Sequence, residues 1–179
     1  MDSVYLDAAR EFADVCVDNG IHALYGGGAV GLMGVFANRV LERQGKITGI
    51  IPDFMMELEW AHVNVPEMVV VEDMRERKRR LIENVDAVVA LPGGIGTLEE
   101  FLEVSTLKQL GQFNKPIIII NTQGFYDTLL RFIDELIEKK FMHDYNRKIW
   151  EVIDSPVKFM STVNHAMDWD AAKINKGAL

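Results

Sequence analysis

Cysteine is almost absent. Cys16 is the single one among 179 residues, so no disulfide can form within the chain. It falls with Phe12 and Ala13 on the apolar side of a first helix, which predicts a buried thiol and fits a reducing cytoplasm. Long hydrophobic runs are missing too: no stretch approaches the roughly 20 apolar residues of a membrane helix, and no signal peptide is visible. His22, His62, His143 and His165 are scattered without ligand spacing, which argues against a metal site. Ser3, Ser105, Ser155 and Ser161 lack a nucleophile-elbow context, so a serine-type hydrolase is disfavoured. A net charge of −8 leaves too little positive potential for nucleic acid as the main partner. Nothing in the chain calls for a cofactor.

What is present reads as one α/β domain over residues 1–179, with no Pro- or Ser-rich linker and no low-complexity tract. A hydrophobic share of 49% with 26% charged residues is ordinary globular usage. Strand and helix signals alternate. The periodicity predicts a helix over Tyr5 to Asp18, with Asp2 or Ser3 as its cap, then a strand over Ile21 to Tyr25. A helix over Leu32 to Gln44 follows, with Met33, Phe36, Ala37 and Val40 on one face. Strands over Lys46 to Ile51 and Met68 to Val71, with a loop at Pro52 between them, lead to a basic helix within Glu72 to Val85. Then come an Asp86 to Leu91 strand, a Thr97 to Leu110 helix and the wholly apolar Pro116 to Asn121 strand. The rest reads as an amphipathic Phe125 to Lys139 helix through Leu129, Phe132, Ile133, Leu136 and Ile137, an Ile149 to Ile153 strand and a Ser155 to Trp169 helix.

Two glycine loops stand at strand-to-helix turns. Pro92-Gly93-Gly94-Ile95-Gly96-Thr97-Leu98-Glu99-Glu100 joins a phosphate-sized loop to a carboxylate one helical turn away. Backbone N–H groups at Gly93, Gly94 and Gly96 can approach a ligand closely, and the positive end of the helix dipole favours an anion there. Gly26-Gly27-Gly28-Ala29-Val30-Gly31 opens its helix in the same way, and in an open parallel sheet two such loops flank a single crevice. The spacing differs from the dinucleotide fingerprint, and the lysine of a Walker loop is missing, so a mononucleotide is the better guess and phosphoryl transfer is disfavoured. An ordinary glycine-rich turn is the bland alternative. In the basic helix, Arg77 and Lys78 fall on the stripe of Met74, Leu81, Ile82 and Val85, where a cation needs an anionic partner. Arg75, Glu76, Arg79 and Arg80 lie elsewhere and read as a solvated face.

Tyr25-Gly26-Gly27-Gly28 with Val30-Gly31-Leu32-Met33-Gly34, then Met74-Arg75-Glu76-Arg77-Lys78, then the Pro92 to Glu100 block closely resemble the LONELY GUY family of cytokinin riboside monophosphate phosphoribohydrolases. The likeness runs from about Tyr5 through Lys115-Pro116 and Gly124-Phe125-Tyr126-Asp127 to the last strand. It implies a Rossmann-like open parallel sheet with helices on both faces, a homodimer or higher assembly, and hydrolysis of the N-glycosidic bond of a nucleoside 5′-monophosphate to free base and ribose 5-phosphate. Many members once carried the label possible lysine decarboxylase, which this sequence gives no chemical reason to adopt. Family members begin with a strand and a Gly-Ser-Ser loop. The present chain starts almost at the first helix, so the expectation is a fragment whose first, central strand lies outside the sequence. Leu107 and Phe113 stand where relatives commonly carry tryptophan and histidine, which leaves the base and the assembly open.

Cleavage of a glycosidic bond places positive, oxocarbenium-like charge on the ribose, and a nearby carboxylate stabilises it. Glu100, three residues after Thr97, is the candidate, with a dipole-complementing carboxylate as the bland alternative. Glu103 shares its face and can assist, while Glu99 points elsewhere. The resemblance assigns Arg77 as the partner of Glu100 and adds Met74 and Lys78 to the substrate-binding set of Gly26, Gly27, Gly28, Gly93, Gly94, Gly96, Thr97 and Glu103. The competing function class is a catalytically silent nucleotide- or cofactor-binding protein on the same fold.

Overall fold

The computed structural model describes residues 1–57 and 60–166 and divides the chain into two compact units, residues 1–84 and the chain from Val85 onward. In both, parallel strands alternate with helices that cover the sheet on both sides.

The first unit holds α1 (Ser3–Asp18), β1 (His22–Tyr25), α2 (Gly31–Glu42), β2 (Lys46–Pro52), α3 (Asp53–Glu57), β3 (Glu67–Val71) and α4 (Met74–Ile82). Its strands run in the order β1-β2-β3, with Leu24 opposite Thr48 and Ile51 opposite Val70. The apolar periodicity of α1 buries Ala8, Ala9, Phe12, Ala13 and Cys16. Phe36, Ala37 and Val40 do the same for α2, and the Phe12 and Phe36 rings stack 5.7 Å apart. Burial pushes the Cys16 thiol up to about 12, so it is an inert core group. Across the outer side of this helix pair, Asp14 receives Arg39 Nε at 2.8 Å and Arg43 Nη1 at 2.7 Å, which holds its carboxyl below the usual range. Two expectations need correction here. Asp2 occupies the cap position of α1, yet its side chain makes no capping bond, and Tyr5 N–H donates to its carbonyl instead. Met33 is 41% exposed, because its long side chain turns off the α2 core face towards the glycine loop.

The second unit holds β4 (Val88–Ala90), α5 (Ile95–Gln109), β5 (Ile117–Ile120), α6 (Asp127–Glu138), β6 (Glu151–Ile153) and α7 (Phe159–Ala166), with single-turn 3-10 segments before α6, β6 and α7. Its order is β4-β5-β6. Four consecutive isoleucines are buried in β5, as a strand covered on both faces requires, each contributing about 1.5–3 kcal/mol. Phe101 of α5 meets Trp150 edge-on at 5.3 Å. In α6, Ile133 and Ile137 are buried but Phe132 is 55% exposed, so the apolar stripe is narrower than its sequence suggested. The predicted last helix forms from Phe159 after a 3-10 turn at Pro156–Lys158, and its part beyond Ala166 lies outside the described residues.

Candidate active site

In the first unit the site is built around one cation. Arg77 is the only buried residue of α4, at 7% exposure, while Met74 and Lys78 on the same helix are half-buried. The helix starts where it does because the Asp73 side chain accepts the Glu76 N–H at 2.8 Å. This fixes the turn that carries Arg77 under the carboxyl ends of β1 and β2. Its Nε donates to the Ile50 carbonyl at 3.1 Å and its Nη2 to the Gly26 carbonyl at 3.3 Å. A Cβ on residue 26 would collide with the guanidinium and push it from its place against the Gly26 and Ile50 carbonyls, which favours glycine there. Gly27 has φ +74, and the backbone around it is zipped to a second segment. His62 N–H donates to the Gly27 carbonyl at 2.9 Å, Ala29 N–H donates to the Trp60 carbonyl at 3.0 Å, and Gly28 bridges Ala61 in antiparallel fashion. His62 is itself buried, its Nε2 3.1 Å from Asn38 Oδ1 on α2. Scattered histidines gave no hint of this anchoring, since its signal lies in backbone pairing.

The second unit carries the other half of the predicted set. After β4 the chain passes through Leu91 and Pro92 to Gly93 and Gly94, and α5 begins at Ile95, two residues earlier than the periodicity suggested. Gly94 caps the helix without any side-chain bond, so the first N–H groups of α5 are not satisfied from within the helix. A Cβ at Gly94 or Gly96 would meet no protein atom, whereas one at Gly93 would strike the Thr97 side chain. The loop is therefore open outward and braced inward. An anion matches these donors. Glu100 is half-buried one turn into α5, Thr97 is half-buried before it, and Glu99 and Glu103 are exposed. Tyr126, at the start of α6, donates its hydroxyl to the Leu91 carbonyl at 2.6 Å, a contact the periodicity of the sequence did not disclose.

Comparison with known proteins bears on these glycine loops and carboxylates. A family model described as possible lysine decarboxylase matches residues 33–163. A probable cytokinin riboside 5′-monophosphate phosphoribohydrolase of Oryza sativa subsp. japonica is 41% identical over 154 residues, covering 86% of this chain and 72% of the relative. The chain belongs to the LONELY GUY family. A second LONELY GUY relative, a cytokinin riboside 5′-monophosphate phosphoribohydrolase of Arabidopsis thaliana, is 41% identical over 152 residues, 85% of this chain and 70% of its own. The solved structure of the molybdenum cofactor carrier protein of Chlamydomonas reinhardtii matches with a TM-score of 0.68 at 18% identity, over 94% of this chain and 92% of that one. A molybdenum cofactor binding protein of Rippkaea orientalis matches with a TM-score of 0.66 at 20% identity, over 92% and 88% of the two chains. At such identities the likeness shows the shared Rossmann-like fold alone. Arg77, Glu100 and the second glycine loop all fall inside the span that the family model matches, and Gly26 to Gly28 precede it. No described helix is long and apolar enough to cross a membrane.

Proposed function

We propose that this chain hydrolyses the N-glycosidic bond of a nucleoside 5′-monophosphate, releasing the base and ribose 5-phosphate. The observation that carries the reading is the glycine loop of Gly93 and Gly94 opening α5, with Glu100 one turn further on. The relatives of about 41% identity, named as cytokinin riboside 5′-monophosphate phosphoribohydrolases, support it. The N-terminal donors of α5, with Gly96 and Thr97, hold the 5′-phosphate. Glu100 then stands within reach of the ribose. As the C1′–N bond breaks, its electron pair leaves with the base, and the carboxylate offsets the positive charge left on the sugar. Water adds its oxygen to C1′, and one of its protons passes by way of Glu100 to the departing base, so charge and atoms balance. Arg77 orients the substrate, and Gly26, Gly27, Gly28, Met74, Lys78 and Glu103 complete the binding set. The protein works as a homodimer or higher homo-oligomer in the cytoplasm, on a small-molecule substrate.

The experiment is incubation with AMP and with an isoprenoid-substituted AMP, followed by chromatography for free base and ribose 5-phosphate. Release of base from at least one is expected. Binding of both nucleotides without any release would favour the silent binding protein.

A further inference from the structure

Gly124-Phe125-Tyr126-Asp127 belongs to the family resemblance but has no part in the chemistry above. In the structure this segment is a built device. Asn121 follows β5 with its N–H on the Ile153 carbonyl at 2.7 Å, its side-chain oxygen accepts the Tyr126 N–H at 2.7 Å, and its amide donates to Asp127 at 2.7 Å. Gln123 and Gly124 take φ of +54 and +70, and a side chain at Gly124 would run into the Asp127 carboxylate. The turn is thus specified residue by residue, and its product is one orientation of the Tyr126 ring, which is 4% exposed and meets Phe125 edge-on.

That ring points back at the end of β4. Its hydroxyl donates to the Leu91 carbonyl at 2.6 Å. After Leu91 stands Pro92, which has no N–H to anchor the chain. The carbonyl just before the proline is therefore held from outside the turn, by the tyrosine. Packing alone would be served by phenylalanine; only the hydroxyl reaches the loop. Burial pushes it up to about 12, so it remains a protonated donor across the working pH range.

We infer that Tyr126 is a positioning residue for the anion-binding loop, its hydroxyl clamping the Leu91-Pro92-Gly93 turn so that the N–H groups opening α5 converge on the phosphate of the substrate. The inference rests on the proposed reading of that loop as the 5′-phosphate site. Tyr126→Phe tests it. Titration calorimetry with ribose 5-phosphate should show affinity weakened roughly tenfold, the loss of about one hydrogen bond's positioning, while an unphosphorylated riboside binds as to wild type. In turnover of the nucleoside monophosphate, KM should rise by a similar factor with kcat changed less than about threefold, because ground and transition states share the phosphate contact. Unchanged ribose 5-phosphate affinity, or equal weakening of the riboside, would reduce the tyrosine to a packing residue and overturn the idea. Should Tyr126→Phe not fold, Asn121→Ala keeps the hydroxyl but releases the Tyr126 backbone, and the same phosphate-selective loss is expected of it. Failure of the wild-type protein itself to bind ribose 5-phosphate would instead remove the phosphate-site reading, and this inference with it.

Discussion

Arg77→Lys keeps the positive charge and removes the fork. In the native structure two nitrogens of one guanidinium reach two carbonyls, that of Ile50 in β2 at 3.1 Å and that of Gly26 just after β1 at 3.3 Å. A lysine ammonium is a single point on a flexible stem and cannot span both, so at least one charge-assisted bond is lost. A hydrogen bond to a charged group contributes about 1.5–3 kcal/mol. The charge stays buried, so no relief of desolvation offsets that loss. For a chain of this length each kcal/mol corresponds to about 2–4 °C, and the variant should therefore melt about 3–12 °C lower. Differential scanning calorimetry reads the shift directly. Adding Gly26→Ala should lower the melting temperature less in the Arg77→Lys background than in wild type, because the guanidinium that the new methyl would strike is gone. A wild-type melting curve for Arg77→Lys would show that the fork does not hold the loop, and the geometric argument for Arg77 would fail.

Glu100→Gln should preserve the fold yet lower turnover roughly a hundredfold or more, measured as free base released; near-normal release would make the carboxylate structural and direct attention to Glu103. Thr97→Ala should raise KM more than it lowers kcat, and the reverse split would move Thr97 from phosphate binding into the chemistry. Lys108, 2% exposed with Nζ on the Lys115 carbonyl at 2.9 Å, is pushed from its ordinary 10.5 to about 8, chiefly by burial against a weaker opposing pull from Glu151. Between those two values the unfolded chain binds the proton that the folded chain has released, so stability should rise as pH climbs from about 8 to 10.5. Melting curves across that window should show a gentler rise for Lys108→Met, and identical slopes would count against the shift. Light scattering should report at least a dimer, and a monomer at high concentration would remove the assembly from the proposal.

The order of elements was legible because the patterns are strong where burial is complete. Ile117–Ile120 has no polar residue to place, and Phe36, Ala37 and Val40 keep helical spacing, so both could be read without tertiary knowledge. The burial of Arg77 was legible for a related reason, since it interrupts an apolar stripe. Misreadings cluster where a side chain is long enough to leave its own face. Met33 swings over the glycine loop, and Phe132 lies out in solvent. The short α3 was read as loop because five residues after Pro52 are too few to show a period. Of the candidate site, glycines and charged residues announced themselves by type. His62 and Tyr126 did not, because what they do depends on backbone groups more than thirty residues away.

The zipper between Gly27–Ala29 and Trp60–His62 bears on how readily this enzyme scaffold can be retuned. Its bonds are main chain to main chain: Trp60 accepts from Ala29 and donates its own N–H to the Met55 carbonyl at 3.3 Å, while its indole is 51% exposed. Any L-residue except proline can supply both groups. Position 60 is thereby uncoupled from the placement of the glycine loop, and a library of side chains there would vary the surroundings of the loop while leaving its backbone anchored. Position 62 lacks that freedom, since its side chain is buried with Nε2 3.1 Å from Asn38 Oδ1. The two neighbouring positions thus divide evolvability from constraint.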